Sequence, residues 1–407
     1  MQARKYSEPR IDAERYLYSA SQQDLLAKVR ELGQQVIGVH AKRIDQEGIY
    51  PFESMQALAD SGLAVLAVPT AMGGWGAGYA GDVEMIPLIL MELASWCSST
   101  SQVFTLHNTG VQLVHALGSA KQQEFFFDEA RAGHWFASFG SESGKDRFKL
   151  ESELRQNKDG YVLNGTKIFA TGSPGAKWAF WRSVLADTEG SQNERYVMPL
   201  VDLTSSGITI VDDWNGIGQR GTGSGQVLAN NVHIPTEHLI GEPGSYGTVD
   251  SFFSAQFNIH FAAQFTGIAM GAYREAIAYV HERSRSWSTD GTASKDSPIV
   301  RVRLGECSAR IAAARELVLQ ASRVLGTSYD QPELRETVQV AASQAKIIAT
   351  KAALEVTSSL FQVMGARAAT RDNNFDMYYR NARTLTLHDP VDKHLELLGQ
   401  RELERYV

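Results

Sequence analysis

The sequence predicts an α+β protein: a helical N-terminal domain, a central β-barrel-like domain and a C-terminal four-helix bundle. Three observations carry this. Apolar residues recur with helical period near the N-terminus. Short β-prone segments follow one another at regular intervals in the middle. Long helical periodicity returns in the last third. A chain of 407 residues has room for two or three domains. The expected boundaries are 14–133, 134–245 and 246–407.

In the first block, Leu25, Val29, Leu32 and Val36 make one apolar stripe, the buried face of a helix. Val68-Pro69 and Met72-Gly73-Gly74-Trp75-Gly76 break the helical texture, and 82–96 resumes it. In the second block, Asn164-Gly165 lies between Tyr161-Val162-Leu163 and Thr166-Lys167-Ile168-Phe169. That pattern predicts a hairpin turn at Asn164-Gly165. Residues 195–201 and 207–211 read as further strands. In the third block, Leu304, Cys307, Ile311, Ala314, Val318, Ala321 and Leu325 recur at alternating steps of three and four, a bundle seam. Residues 339–360 are Ala-rich and free of Gly and Pro, hence helical. Residues 288–297 are polar and turn-rich, the best place for a mobile loop.

Composition narrows the function classes. The net charge is 39 − 46 = −7 with basic residues scattered, so no nucleic-acid partner is expected. Cys97 and Cys307 have neither disulfide nor metal-ligand spacing and predict two buried thiols. The N-terminus lacks a secretory pattern, and no apolar run reaches the roughly 18 residues that span a bilayer. A cytoplasmic protein without a membrane segment is expected.

Several strings carry chemistry. Ser138-Phe139-Gly140-Ser141-Glu142-Ser143-Gly144 offers hydroxyls and main-chain groups for a heterocycle edge. Asn164 to Gly172 ends in an aromatic, Phe169, and a hydroxyl, Thr171. Gly218-Gln219-Arg220-Gly221-Thr222-Gly223-Ser224-Gly225 is glycine-rich with hydroxyls. Arg283 and Arg285 close the run Tyr279 to Trp287, and an Arg fork suits a phosphate. Near the C-terminus stand Val363-Met364-Gly365-Ala366-Arg367 and Arg380-Asn381-Ala382-Arg383-Thr384-Leu385-Thr386-Leu387-His388-Asp389-Pro390.

In order and spacing these strings resemble the acyl-CoA dehydrogenase superfamily, over about residues 20–400. The resemblance implies a flavin met by Phe139, Ser141, Phe169 and Thr171. It also implies that Arg283, Arg285 and Gly365 serve a flavin shared with a neighbouring subunit of a homotetramer. Two departures set the chain apart from the dehydrogenases. Where many of them carry a catalytic Glu before Gly, this chain has Asp389 before Pro390, one methylene shorter. Where they show Gly-Gly-x-Gly against the adenosine half of FAD, only Gly365 remains, which favours FMN over FAD.

The Asn-Ala-Arg-Thr…His-Asp-Pro variant resembles the flavin monooxygenase branch that acts on organosulfur compounds: dibenzothiophene, methanesulfinate and sulfone-acquisition monooxygenases. That resemblance implies reduced FMN from a separate NAD(P)H:flavin reductase. It implies oxygen transfer from a C4a-hydroperoxyflavin to a sulfinate, sulfone or thiophene. The expected catalytic residues are His388, His107, Thr171 and Asp389; a His near neutral pH manages the single proton such chemistry needs. His107 and Arg371 are the expected substrate contacts, Arg371 as the cation for an anionic substrate. The competing readings are an FAD-dependent acyl-CoA dehydrogenase with a displaced base, an N-hydroxylating flavin monooxygenase, and a silent helical binding protein.

Overall fold

The computed structural model describes residues 16–406, apart from 145, 147–148, 286–288, 290, 330 and the side chain of Pro332. Part of the turn-rich stretch 288–297 and the first residues of the expected N-terminal domain therefore lie outside the described residues.

Helix α1 (Ala20–Leu32) starts at a capping box in which Ser19 and Gln22 satisfy each other's main-chain N–H. It runs through a π-helical turn (Gly33–Ile37) into α2 (Gly38–Glu47). The turn falls where the chain meets Trp96: a Cβ on Gly33 would lie 2.2 Å from the indole nitrogen. Helices α3 (Phe52–Asp60), α4 (Met85–Trp96), α5 (Ser98–Leu117) and α6 (Ala120–Arg131) complete the first block. The residues of α4 from Met85 to Ser95 are all buried, so it is a central helix, without a solvated face.

The middle block is one nine-stranded sheet. Its strands are β1 (Trp135–Phe139), β2 (Glu153–Asn157), β3 (Gly160–Lys167), β4 (Ala176–Trp181), β5 (Ser183–Leu185), β6 (Tyr196–Asp202), β7 (Ile208–Ile210), β8 (Val227–Ile234) and β9 (Leu239–Ile240). The order is β1-β4-β6-β5-β2-β3-β8-β7, with β9 on β6. Pairing is antiparallel except at β1/β4 and β2/β5. Along β4 the side chains alternate with period two: Ala179 and Trp181 enter the β-domain core, Trp178 and Phe180 the core shared with the helices.

The hairpin expected at Asn164-Gly165 is corrected here. β3 runs straight through that dipeptide, and the turn is Lys158-Asp159, between Asn157 and Gly160. Gly165 instead marks a register shift against β8, and a Cβ there would lie 2.2 Å from Ser152 Oγ. A bare backbone at a bulge reads like a turn in sequence because both call for glycine.

The last block holds α7 (Asp250–Glu282), α8 (Pro298–Thr327), α9 (Arg335–Ser359), the single turn α10 (Phe361–Met364), α11 (Asp376–Leu385) and α12 (Val391–Glu404). Cys307, Ile311, Ala314, Val318, Ala321 and Leu325 line the buried side of α8, and Leu304 is half-buried. Both cysteines are free and buried. Gly267 and Gly271 let α7 cross α4 at backbone contact; a Cβ at either would lie within 2.3 Å of a main-chain oxygen. Helices α11 and α12 pack on α9 and close the bundle. Among the described residues, no helix is long and apolar enough to cross a membrane.

Candidate functional site

Three blocks converge on the glycine-rich loop 216–224. Gly218 abuts α11 so closely that a Cβ would lie 2.0 Å from Arg380 O. Asn381 Oδ1 accepts the Gln219 N–H at 2.6 Å, and the Gln219 side-chain amide donates to Ser98 Oγ. Gly221 N–H donates to Ser99 Oγ at 3.2 Å. Arg380 grips Asp45 of α2 through two nitrogens, at 3.0 and 2.6 Å, and donates to Ile217 O at 2.9 Å. A bidentate pair of this kind is both strong and directional. It clamps the loop between the N-terminal helices and α11.

The clamped loop carries a chain of hydroxyls. Thr222 Oγ1 donates to Gln219 O at 2.8 Å, which spends its only proton. Ser224 Oγ must then donate to Thr222 at 2.6 Å, and Thr171 Oγ1 to Ser224 at 2.7 Å. Thr171 keeps its acceptor capacity. Beside it, Phe169 is held at φ 52°, a left-handed conformation that is costly for a bulky residue. Its ring is 61% exposed and edge-on to Trp214 at 6.2 Å. A strained, exposed aromatic beside a hydroxyl chain is a platform for a flat ligand with a polar edge.

Ser141 is exposed next to this platform, and its carbonyl accepts the Ile168 N–H at 3.0 Å. The turn is pinned from behind. Fully buried Lys167 donates to Glu142 at 2.5 Å and to Arg182 O at 2.6 Å. Burial pulls the Lys167 ammonium down to about 8. Burial pushes Glu142 up, but its bonds to Lys167 and Ser152 outweigh that and leave it below the usual carboxylate range.

A second group gathers after α11. The His388 ring packs on Phe261 at 4.6 Å and Phe257 at 5.2 Å, both on α7. Asp389 accepts from His394 Nε2 at 3.0 Å and pairs with Lys346 Nζ at 3.2 Å. Lys346 also donates to Asn258 at 2.8 Å, and His394 Nδ1 meets Ser343 Oγ at 2.9 Å. The hydrogen bond from His394, aided by Lys346, holds the Asp389 carboxyl well below its ordinary range. Helix α11 links the two groups: Asn381 touches the loop, and His388 follows seven residues later, roughly 15 Å at most along helix and turn.

Models of the acyl-CoA dehydrogenase N-terminal, middle and C-terminal domains match residues 19–134, 140–232 and 259–393. The chain belongs to the acyl-CoA dehydrogenase family. Within it, the chain falls in the flavin-dependent monooxygenase branch. It is 30% identical to a dibenzothiophene monooxygenase of Rhodococcus erythropolis, covering 94% of each chain. It is 30% identical to a probable FMNH2-dependent monooxygenase of Pseudomonas putida, covering 92% of this chain and 93% of the relative. The FMN-bound structure of the dibenzothiophene monooxygenase from Paenibacillus sp. A11-2 superposes with a TM-score of 0.88 at 28% identity, over 94% of this chain and 98% of the other.

Against this family background the expected site residues separate. Phe169, Thr171 and Ser141 meet at the platform, and His388 stands on its aromatic shelf. Four expectations are corrected. Phe139 is wholly buried against Trp181 in the β-domain core, so its ring cannot meet a cofactor. His107 is fully buried, with Nε2 on Ala64 O at 2.6 Å and Nδ1 accepting the Phe136 N–H at 3.2 Å. Both nitrogens serve main chain, and burial drops its pKa to about 4, so the ring is neutral and its hydrogen bonds are spent on structure. Arg371 is exposed in the turn before α11, at the far end of that helix from His388. Asp389 serves His394 and Lys346; it is not a free base.

Arg283 and Arg285 are exposed at the end of α7, and Gly365 lies beside them, since Ser284 Oγ reaches Val363 O at 3.4 Å. Gly365 has φ 82° and ψ 180°, a conformation open essentially to glycine alone. Helix rise puts Arg283 roughly 33 Å from Phe261. No single FMN in one chain spans both. Sequence reasoning missed Gln219, Ser224, Asn381, Lys346 and His394 as site-builders. The Gly218–Gly225 string flagged the first two, but nothing local marks Lys346 or His394.

Proposed function

We propose that this chain is a two-component flavin monooxygenase. It takes reduced FMN from a separate NAD(P)H:flavin reductase in the cytoplasm and uses O2 to oxygenate a small organosulfur compound. One observation carries the reading over a dehydrogenase. The carboxylate at the usual base position, Asp389, is tied to a histidine and a lysine and held strongly acidic, which makes it a poor proton acceptor.

The residues fit a flavin. Phe169 and Trp214 offer the aromatic surface, and Ser141 and its neighbouring main chain offer polar groups for the pyrimidine edge. The hydroxyl chain leaves Thr171 Oγ1 able to accept an N–H, which the reduced ring carries. Bound there, the flavin supplies two electrons and activated oxygen, with one oxygen atom passing to sulfur and the other leaving as water. His388 holds or delivers the proton at a ring nitrogen. Phe257 and Phe261 hold the His388 ring in place from one side, leaving its other side open. Arg283, Arg285 and the Gly365 backbone serve the phosphate of a flavin held mainly by a neighbouring subunit, in a homotetramer.

The test is isotopic. Protein, FMN, a flavin reductase and NADH under 18O2 should put one labelled oxygen into dibenzothiophene or methanesulfinate. No labelled product from either, together with anaerobic bleaching of bound flavin by an acyl-CoA, would overturn the reading in favour of a dehydrogenase.

A further inference from the structure

We propose that Arg182 is the recognition cation for a small sulfur oxyanion, a sulfinate or sulfonate head group, on the helical side of the β domain. The inference rests on the monooxygenase reading for the substrate's sulfur chemistry. It narrows that reading from organosulfur compounds in general to charged ones.

Arg182 directly follows β4 and continues the alternation that turns Trp178 and Phe180 toward the helices. Its guanidinium carbon lies 5.7 Å from the centre of the Tyr246 ring, and the Tyr196 and Tyr246 rings pack 5.6 Å apart. Arg182 Nε and Tyr196 Oη are both buried with no hydrogen-bond partner. Among the described residues, no carboxylate comes within 4.0 Å of the guanidinium. The Asp250 carboxylate acts on it only from beyond that range.

A largely buried guanidinium without an ion-pair partner is costly to keep. Every other deeply set cation in the site is paired: Lys167 with Glu142, Lys346 with Asp389, Arg380 with Asp45. The niche at Arg182 presents N–H and O–H donors, and its rings are apolar. An acceptor-only group with a negative charge matches it; a bare thiophene does not.

The niche adjoins the platform. A Cβ on Gly140 would lie 3.2 Å from Arg182 Nε, so glycine there keeps the fork in place. The next residue is Ser141, whose carbonyl takes the N–H of Ile168, and Phe169 follows. By chain geometry the fork stands on the order of 12 Å from the Phe169 backbone. A small sulfur oxyanion there lies within reach of a flavin on Phe169.

The experiment is a calorimetric titration of the flavin-free protein with methanesulfonate, for wild type, Arg182→Met, Arg182→Lys and Tyr196→Phe, paired with steady-state turnover. Methanesulfonate should bind the wild type, lose roughly 100-fold in affinity with Arg182→Met, and lose less with Arg182→Lys or Tyr196→Phe. The ratio of kcat/KM for methanesulfinate to that for dibenzothiophene should fall by a similar factor in Arg182→Met. Absence of binding to the wild type, or equal binding by Arg182→Met, overturns the inference. Turnover of dibenzothiophene without methanesulfonate binding would sink Arg182 and leave the monooxygenase intact. Arg182-dependent binding without labelled product from any sulfur compound would do the reverse.

Discussion

His388 was the first and His107 the second histidine candidate in the sequence, and they occupy opposite environments in the fold. His107 sits on α5 among Trp135, Phe136 and Phe104, with both nitrogens bound to main chain. It joins a helix to the first strand of the β domain. His388 lies in a turn after α11, exposed on one side and resting on two phenylalanines on the other. The difference is one of commitment. A histidine whose donor and acceptor are both used for main chain is fixed as a structural ring, and one held on an apolar shelf at an exposed turn is placed by ring packing instead.

The largest effect that would break this comparison concerns stability. His107→Ala should cost about 3–4 kcal/mol, because it leaves a cavity and two buried main-chain groups unpaired. Urea unfolding measures it. Burial sets the folded pKa of His107 at about 4 against an ordinary 6.5, so the unfolded chain binds the extra proton between those values. Stability should therefore fall as pH drops from 6.5 toward 4. His260, pressed by burial to about 3, adds to the same slope. His115 and His238, also lowered by burial, add smaller parts, so His107→Ala should remove a fraction of that slope and leave the rest. An unchanged slope would show that the site is not this neutral, buried ring.

Next in size is a catalytic effect. His388→Ala should lower oxygenated product per reduced FMN consumed by roughly 100-fold, with peroxide released instead. Its stability should stay within about 1 kcal/mol of wild type. Full product yield in that variant would take His388 out of the chemistry and level the comparison.

The smallest effect sharpens the pH argument. The folded pKa of Asp389 lies below its unfolded value of about 4, so its contribution is present above that pH and lost as pH falls below it. Asp389→Asn should flatten the acid limb of the stability profile below about pH 4 while leaving the 4–6.5 limb, which belongs to the buried histidines. Loss of both limbs would place the two histidine regions in one cooperative unit.

Much of the fold was legible because local chemistry repeats with the period of the element. The α8 seam at Cys307, Ile311, Ala314 and Val318 is buried as the spacing requires. Phe169 and Thr171 were singled out by the family resemblance, since an aromatic and a hydroxyl after a strand would by themselves read as an ordinary hairpin. Asn164-Gly165 misled, since a glycine needed for close approach to Ser152 looks the same as one needed for a turn. Phe139 misled because one step along a strand decides whether a side chain faces core or ligand.

By itself the sequence determined the succession of helical, β and helical blocks, the family, and the loss of the usual glutamate base. The succession of blocks follows from periodicity; the family and the lost base follow from the resemblance that the ordered strings carry. Only the tertiary structure decided that His107 is buried with both nitrogens on main chain while His388 rests on Phe257 and Phe261, that Asp389 answers to Lys346 and His394, and that, among the described residues, Arg182 stands without a carboxylate within 4.0 Å beside Tyr196. Each of those depends on groups from separate elements, such as Lys346 on α9 against Asp389 after α11, brought together by packing that no local pattern encodes.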